Sequence, residues 1–245
     1  TDTNISQFLC ILAVGKCGGI PCPLGVIDHD SKFSQDFDFE LVFSENSLAL
    51  SKGTSTIEIP KNTNFEICLG YSTSGTTSGF RKVVFQTHNQ LLTTEDAINE
   101  RMNTAEFDVE LITTSFDNTY WFGRIRCLLA RDAKIIFSPH PINPIKIAQI
   151  LENEAVSGIS CDTPLFLAIS KFLDKKNKNA FKTLKYIKVA SAPMDTEYIR
   201  NFYSSGGHAR IFYNYGLTEA MRCCILLLPE ELHKVGSVGR PLNGV

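Results

Sequence analysis

The sequence predicts an α/β fold of doubly wound, mostly parallel sheets flanked by helices, and three observations predict it. From residue 68 to residue 227, short β-rich apolar runs alternate with longer segments of helical period, the pattern of βα units. Two of the helical segments open on a capping residue followed by proline, which marks where strand gives way to helix. The chain has 245 residues, 43% hydrophobic and 20% charged, enough for the core of one large domain or two small ones.

Each element follows in order. The first sixty residues read apart from the rest, with a helix around residues 7–14, a break at Gly18-Gly19 and the bracketed segment Pro21-Cys22-Pro23. Strands are expected at residues 65–69 and 83–86, then a helix over 90–102 with His88 as its cap. A strand at 109–113 precedes a helix at 121–130, for which Asp117 is a candidate N-cap. After the strand 134–137, Asn143 and Pro144 start a helix whose apolar face is Ile145, Ala148, Ile150 and Leu151. The strand 158–161 leads through Asp162 and Thr163 to Pro164 and a helix at 165–173, which ends in the polar run 175–179, read as a solvated loop. The last strands are expected at 185–190 and 210–212, with Asp195 and Glu197 set to complement the dipole of the helix between them. Residues 236–245 form a glycine-rich close that reads as a cut in a longer chain.

Charge and composition exclude several function classes. Lys plus Arg is 24 and Asp plus Glu is 26, a net charge of −2, so nucleic acid is not expected as a partner. The longest apolar run, residues 8–14, is far below the roughly 18 residues of a membrane span. It follows Asp2 without a basic leader, which argues against a secretory signal. Eight cysteines are scattered through apolar runs with no CxxC and no zinc spacing, which reads as free thiols in a reducing cytoplasm.

Two stretches carry chemistry. Residues 71–83, Tyr-Ser-Thr-Ser-Gly-Thr-Thr-Ser-Gly-Phe-Arg-Lys-Val, set small hydroxyl side chains and two glycines between strands and close on two cations. Hydroxyls and unshielded backbone N–H groups wrap phosphate oxygens, although the composition serves a surface loop equally well, and the Walker and GxGxxG patterns are absent. Residues 211–220, Ile-Phe-Tyr-Asn-Tyr-Gly-Leu-Thr-Glu-Ala, put a ring, a glycine, a hydroxyl and a carboxylate just after a strand, where parallel sheets hold ligands. Tyr215 suits stacking on a base, Thr218 a phosphate oxygen and Glu219 a hard cation; a tyrosine-rich turn is the alternative.

In this order the two stretches resemble the adenylate-forming superfamily of acyl-CoA synthetases, peptide-synthetase adenylation domains and luciferases. The family pattern TSGTTGxPKG is similar to residues 73–82, and YGxTE is met in full by residues 215–219. Residues 11–24 and 236–245 resemble its LAVLKAGGxxVPL and GSVGRPLPGV segments. The resemblance implies that residues 1–245 are a fragment of the large AMP-binding domain, with two subdomains as one arrangement, without the small C-terminal domain. It implies an ATP-dependent ligase that converts a carboxylic acid to an acyl adenylate and passes it to a thiol, coenzyme A or the phosphopantetheine of a carrier protein. Ser74, Gly75, Thr76, Thr77 and Arg81 would hold the β- and γ-phosphates, Tyr215 would stack on adenine beside Asn214, Thr218 would meet the α-phosphate, and Glu219 would bind Mg²⁺. The family's glycine, proline and lysine fall here on Ser78, Phe80 and Arg81, with Lys82 one place late, which leaves the pyrophosphate cation open between Arg81 and Lys82.

Phe116 and Asp117 are the candidate substrate-binding pair. Amino-acid-activating relatives carry Phe-Asp at this point, the aspartate meeting an ammonium group, whereas Ala190-Ser191-Ala192-Pro193-Met194 looks more like acyl and aryl ligases. A general carboxylic acid is therefore the leading expectation and an amino acid the alternative. A nucleotide-binding or scaffold module without catalysis is the rival of another class.

Overall fold

The computed structural model describes residues 3–16, 19–23, 42–44, 47–49, 67–73, 82–106, 108–113, 119–139, 142–175 and 183–244. The chain divides into two compact units, which meet in sequence between Gln90 and Leu91.

The first unit begins with α1, Thr3–Lys16, a turn longer at its start than the apolar run predicts and closed by a lysine that suits the negative end of the helix dipole. A short antiparallel pair follows, β1 (Val42–Ser44) with β2 (Ser47–Ala49). Strands β3 (Ile67–Ser72) and β4 (Val83–Thr87) also pair antiparallel, Ser72 opposite Val83. The sequence reading of a mostly parallel arrangement gave this pair no direction of its own; pairing these neighbours in parallel would need a crossover to carry the chain back to the starting edge. Thr73 N–H donates to the Lys82 carbonyl at 2.8 Å and Lys82 N–H to Thr73 Oγ1 at 3.1 Å, so the two ends of the hydroxyl segment are clamped together.

Helix α2, His88–Met102, crosses the division between the units. Its cap is Thr87 and not His88. Thr87 Oγ1 accepts from Gln90 N–H at 3.3 Å, and Gln90 Oε1 accepts from Thr87 N–H at 2.9 Å, a reciprocal capping box that satisfies two backbone donors.

The second unit is built on a seven-stranded sheet. Its strands are β5 (Val109–Ile112), β6 (Lys134–Phe137), β7 (Gly158–Asp162), β8 (Tyr186–Ala190), β9 (Arg210–Tyr215), β10 (Cys224–Leu228) and β11 (Arg240–Pro241), in the order β11-β10-β9-β8-β7-β5-β6. The five strands β5 to β9 run parallel, and β10 and β11 add antiparallel at one edge. The fold class is therefore as expected, with an antiparallel margin that the period of the sequence did not announce. Strand β10 escaped the sequence reading because Cys-Ile-Leu-Leu-Leu shows no alternation: both of its faces are buried, Ile225 and Leu227 on one and Leu226 and Leu228 on the other.

Helices cover both faces. On one, α4 (Pro144–Asn153), α5 (Thr163–Lys175) and α6 (Thr196–Ser204) supply Ile147, Leu151, Phe166, Ile169, Ile199 and Phe202 against Leu111, Ile159, Ile187, Val189 and Ile211. On the other, α2 and α3 (Thr119–Leu129) bring Ala97, Ile98, Met102 and Cys127 against Tyr186, Phe212 and Ile225. The capping signals hold where they were legible. Asn143 accepts from Ile145 N–H at 2.9 Å with Pro144 at the first position, Asp162 accepts from Leu165 N–H at 2.8 Å, and Asp195 from Glu197 N–H at 3.0 Å. The seven described cysteines are free thiols, with Cys127 and Cys161 buried.

Candidate functional site

Strand order reverses beside β5: β6 lies on one side of it, and β7 and its successors lie on the other. Open α/β sheets take ligands at such a point, outside the carboxyl ends of the strands. In the second unit that edge holds the ends of β5, β7, β8 and β9 and the loop from β9 into β10.

That loop is residues 216–223, closed by the pair Tyr215 and Cys224. Leu217 N–H donates to the Ala220 carbonyl at 3.0 Å and Ala220 N–H returns to the Leu217 carbonyl at 3.2 Å, which puts Thr218 and Glu219 at the tip of a two-residue turn. Glu219 is exposed and Thr218 half-buried, so both side chains are available at the edge. Gly216 is required by a close approach: a Cβ there would lie 2.3 Å from the Arg222 backbone nitrogen and 2.9 Å from its Cα. Arg222 itself takes the left-handed conformation at φ 50°, an unusual place for a long side chain.

Tyr215 leaves the ring 45% exposed beside the loop, while Asn214 on the neighbouring position is buried. The Asn214 amide donates to the Phe212 carbonyl at 2.7 Å and the Val189 carbonyl at 3.4 Å, and its Oδ1 has no partner among the described residues. As successive residues of one strand, Asn214 and Tyr215 face opposite sides of the sheet, so the exposed ring is the part of this pair that suits stacking on a planar heterocycle such as adenine. The segment after β8 is fixed from two sides, with Tyr213 O–H donating to the Ala192 carbonyl at 3.0 Å and Thr163 O–H at 2.9 Å. Ser191, at the start of that segment, is held at φ 81°.

Ser74, Gly75, Thr76, Thr77 and Arg81 lie outside the described residues, as do Phe116 and Asp117. Of the predicted site, the second unit brings together Asn214, Tyr215, Thr218 and Glu219. No group of three or more metal-ligating side chains occurs among the described residues.

Sequence reasoning missed a buried charged cluster on the sheet face under α2 and α3. Glu110 of β5 and Arg124 of α3 are fully buried and paired, with Nη2 to Oε2 at 2.6 Å and Nε to the two carboxylate oxygens at 2.9 and 3.1 Å. Tyr186 O–H donates to Glu110 at 2.5 Å, and Ser160 O–H donates to it as well. Burial alone would raise the Glu110 pKa, but the attached Arg124 guanidinium, the Lys188 ammonium and the Ser160 hydroxyl hold it below the usual carboxylate value. The Arg124 pKa is raised, Glu110 overcoming the burial that would lower it.

Two further cations lie beside this pair. Lys188 of β8 is fully buried, its Nζ without a hydrogen-bond partner among the described residues and 4.7 Å from the centre of the Tyr120 ring. Arg222 is 3% exposed, its guanidinium 5.0 Å from the same ring and donating to the Tyr120 carbonyl. Burial, with Arg222 and Arg124 nearby, pushes the Lys188 pKa well down. A cation over an aromatic face gains about 2 kcal/mol when desolvated, short of the several kcal/mol that burying an ion costs. The signal in the sequence was a charged residue at an inward place of an apolar strand, Glu in Val-Glu-Leu-Ile and Lys in Tyr-Ile-Lys-Val-Ala.

The profile of the AMP-binding enzyme family matches residues 19–245. Among curated proteins, an acyl-CoA ligase of Ajellomyces capsulatus, SID4, is 24% identical over 163 residues, 65% of this chain and 27% of the ligase. The chain thus spans about a quarter of the length of that relative. Among solved structures, o-succinylbenzoate coenzyme A synthetase of Bacillus subtilis in complex with AMP is similar at a TM-score of 0.64 and 18% identity, over 73% of this chain and 36% of that one. The inhibitor-bound N-terminal domain of FACL13 from Mycobacterium tuberculosis is similar at 0.64 and 20% identity, over 80% and 47%.

Proposed function

The chain belongs to the AMP-binding enzyme family, and on that premise we propose that it supplies the nucleotide-facing part of an AMP-forming acid–thiol ligase. The observation that carries the reading is the Asn214–Glu219 corner: a buried unpartnered acceptor, an exposed ring and a two-residue tip bearing a hydroxyl and a carboxylate. In the proposal Tyr215 stacks on adenine, with Asn214 beside it. Thr218 contacts the α-phosphate. Ser74, Gly75, Thr76, Thr77 and Arg81 wrap the β- and γ-phosphates, their loop closed by the Thr73–Lys82 clamp.

Glu219 is the residue that would hold Mg²⁺, a hard cation suited to its free oxygens, which would neutralise charge on the phosphates. The acid's carboxylate oxygen attacks the α-phosphorus, forming the P–O bond of an acyl adenylate and releasing pyrophosphate. A thiolate, of coenzyme A or a phosphopantetheine, then attacks the acyl carbon and AMP leaves. This chain's donors contribute by being fixed before charge develops, which requires no reorganisation during reaction. A carboxylic acid is the substrate; for an amino acid, the substrate alternative, Phe116 and Asp117 would meet its ammonium group.

Carboxylate-dependent exchange of labelled pyrophosphate into ATP, measured on the full-length protein, tests the reading. Exchange with some member of a broad acid panel is the expected result. ATP binding without exchange for any acid would overturn it in favour of a nucleotide-binding scaffold, a rival motivated by Ser78, Phe80 and Arg81 standing where the family has glycine, proline and lysine.

A further inference from the structure

The buried cluster on the α2 and α3 face is unbalanced. Among the described residues Glu110, the one carboxylate near Lys188 and Arg222, is bound by Arg124; Lys188 and Arg222 meet over the Tyr120 ring, Arg222 donating to the Tyr120 carbonyl and the Cys127 sulfur, and neither forms an ion pair with a carboxylate. Other buried carboxylates of this unit are taken: Asp108 faces Lys185, Glu231 faces Arg101 and Arg240, and Glu95 faces Arg126. Buried ions persist where something pairs with them.

Lys188 lies two residues before the carboxyl end of β8, on the same sheet face as Asn214. Tyr120 is in the first turn of α3, directly after the span that holds Phe116 and Asp117, and Arg222 closes the loop that presents Thr218 and Glu219. The cation pair therefore lies beneath the carboxyl edge of β8, against the first turn of α3 and the loop that presents Thr218 and Glu219.

We infer that Lys188 and Arg222 form an anion subsite for the acid, so that the substrate carries a second anionic group besides the carboxylate that is activated. The inference rests on the ligase reading and narrows its substrate class to doubly anionic acids. The Tyr120 ring is the stand-in partner that the second carboxylate replaces, and that carboxylate favours the ammonium form of Lys188 by supplying a counter-charge. A floor of two cations repels an ammonium group, which disfavours the amino-acid alternative unless the amino acid is itself acidic.

The test uses the full-length protein with succinate, glutarate, adipate and suberate, each against its monomethyl ester. Two quantities are read: kcat/KM for pyrophosphate exchange and direct binding by calorimetric titration without ATP. The expected result is a preference for at least one diacid over its ester of about tenfold or more, in binding and in exchange where exchange occurs, collapsing toward one in Lys188→Met. Equal use of acid and ester, a preference that survives in Lys188→Met, or no diacid binding would each overturn the subsite. Diacid binding lost in Lys188→Met without exchange for any acid supports the subsite and removes the ligase reading. Exchange with monoacids alone does the reverse. Thermal unfolding checks that Lys188→Met is folded; if it is not, the wild-type diacid-to-ester ratios decide.

Discussion

Glu110 illustrates what a single buried carboxylate does when its partners are fixed. Its neighbours outweigh its burial and lower its pKa, so its stabilising contribution is present above the ordinary value of 4.5 and is lost as pH falls below it toward the folded value. Glu110→Gln leaves Arg124 buried without a counter-charge and is expected to destabilise the protein by about 3 kcal/mol at neutral pH, a gap that narrows on acidification. Urea unfolding of both proteins across that range checks it. Lys188 has the opposite sign. Its folded pKa is depressed below 10.5, so the unfolded chain binds a proton that the folded chain releases, and stability rises with pH from the folded value up to the ordinary one. In Lys188→Met that slope is absent, measured by the same method over the pH range below 10.5; an unchanged slope would show that another group carries it. Glu219, exposed at a turn tip with no side-chain hydrogen bond or ion pair among the described residues, is expected to behave differently again. Glu219→Gln should leave the melting temperature unchanged and weaken Mg²⁺-dependent pyrophosphate exchange by roughly tenfold or more, since one anionic oxygen ligand is lost. A lowered melting temperature with intact exchange would make Glu219 structural.

Among the elements, the β9–β10 hairpin depends on a glycine for a reason that can be tested. Gly216→Ala places a methyl carbon inside the Arg222 backbone, so the loop must open and both Arg222 and the Thr218–Glu219 tip shift with it. The expected outcome is loss of adenine-nucleotide binding together with a destabilisation of about 2 kcal/mol or more, read by nucleotide titration and urea unfolding of one preparation. Where a cap is local, sequence and structure agree: Asn143 with Pro144, and Asp195 with Glu197, need only neighbours a few residues away. His88 failed as a cap because Thr87 and Gln90 together satisfy two donors, a reciprocal pair whose threonine also ends a strand. Strand β10 failed for another local reason: burial on both faces erases the period by which strands are recognised.

The whole molecule is two units in sequence, each with its own sheet or sheets, and no described helix is long and apolar enough to cross a membrane. Residues 74–81, proposed to meet the β- and γ-phosphates, fall within the sequence span of the first unit, and Asn214–Glu219 within that of the second. These 245 residues span about a quarter of the curated relative, and expressed alone they are expected to form acyl thioester far more slowly than the full-length protein. Comparable rates for the two in a discontinuous thioester assay would show that the chain is sufficient by itself.

The sequence by itself determined the α/β class, the central strands and three helix starts, and it singled out Asn214, Tyr215, Thr218 and Glu219 as a candidate site. Each of these depends on contiguous residues: a period, a capping pair, or a motif whose chemistry lies within a few positions. Only the tertiary structure decided the antiparallel edge, the pairing of β3 with β4, and the cluster of Glu110, Arg124, Lys188 and Arg222. Those four come from β5, α3, β8 and a hairpin loop. A charged residue in an apolar strand reads as an anomaly until folding brings its partner, or leaves it without one. Burial then sets how strongly each charge is felt, because the low-dielectric interior magnifies both a matched pair and an unmatched one.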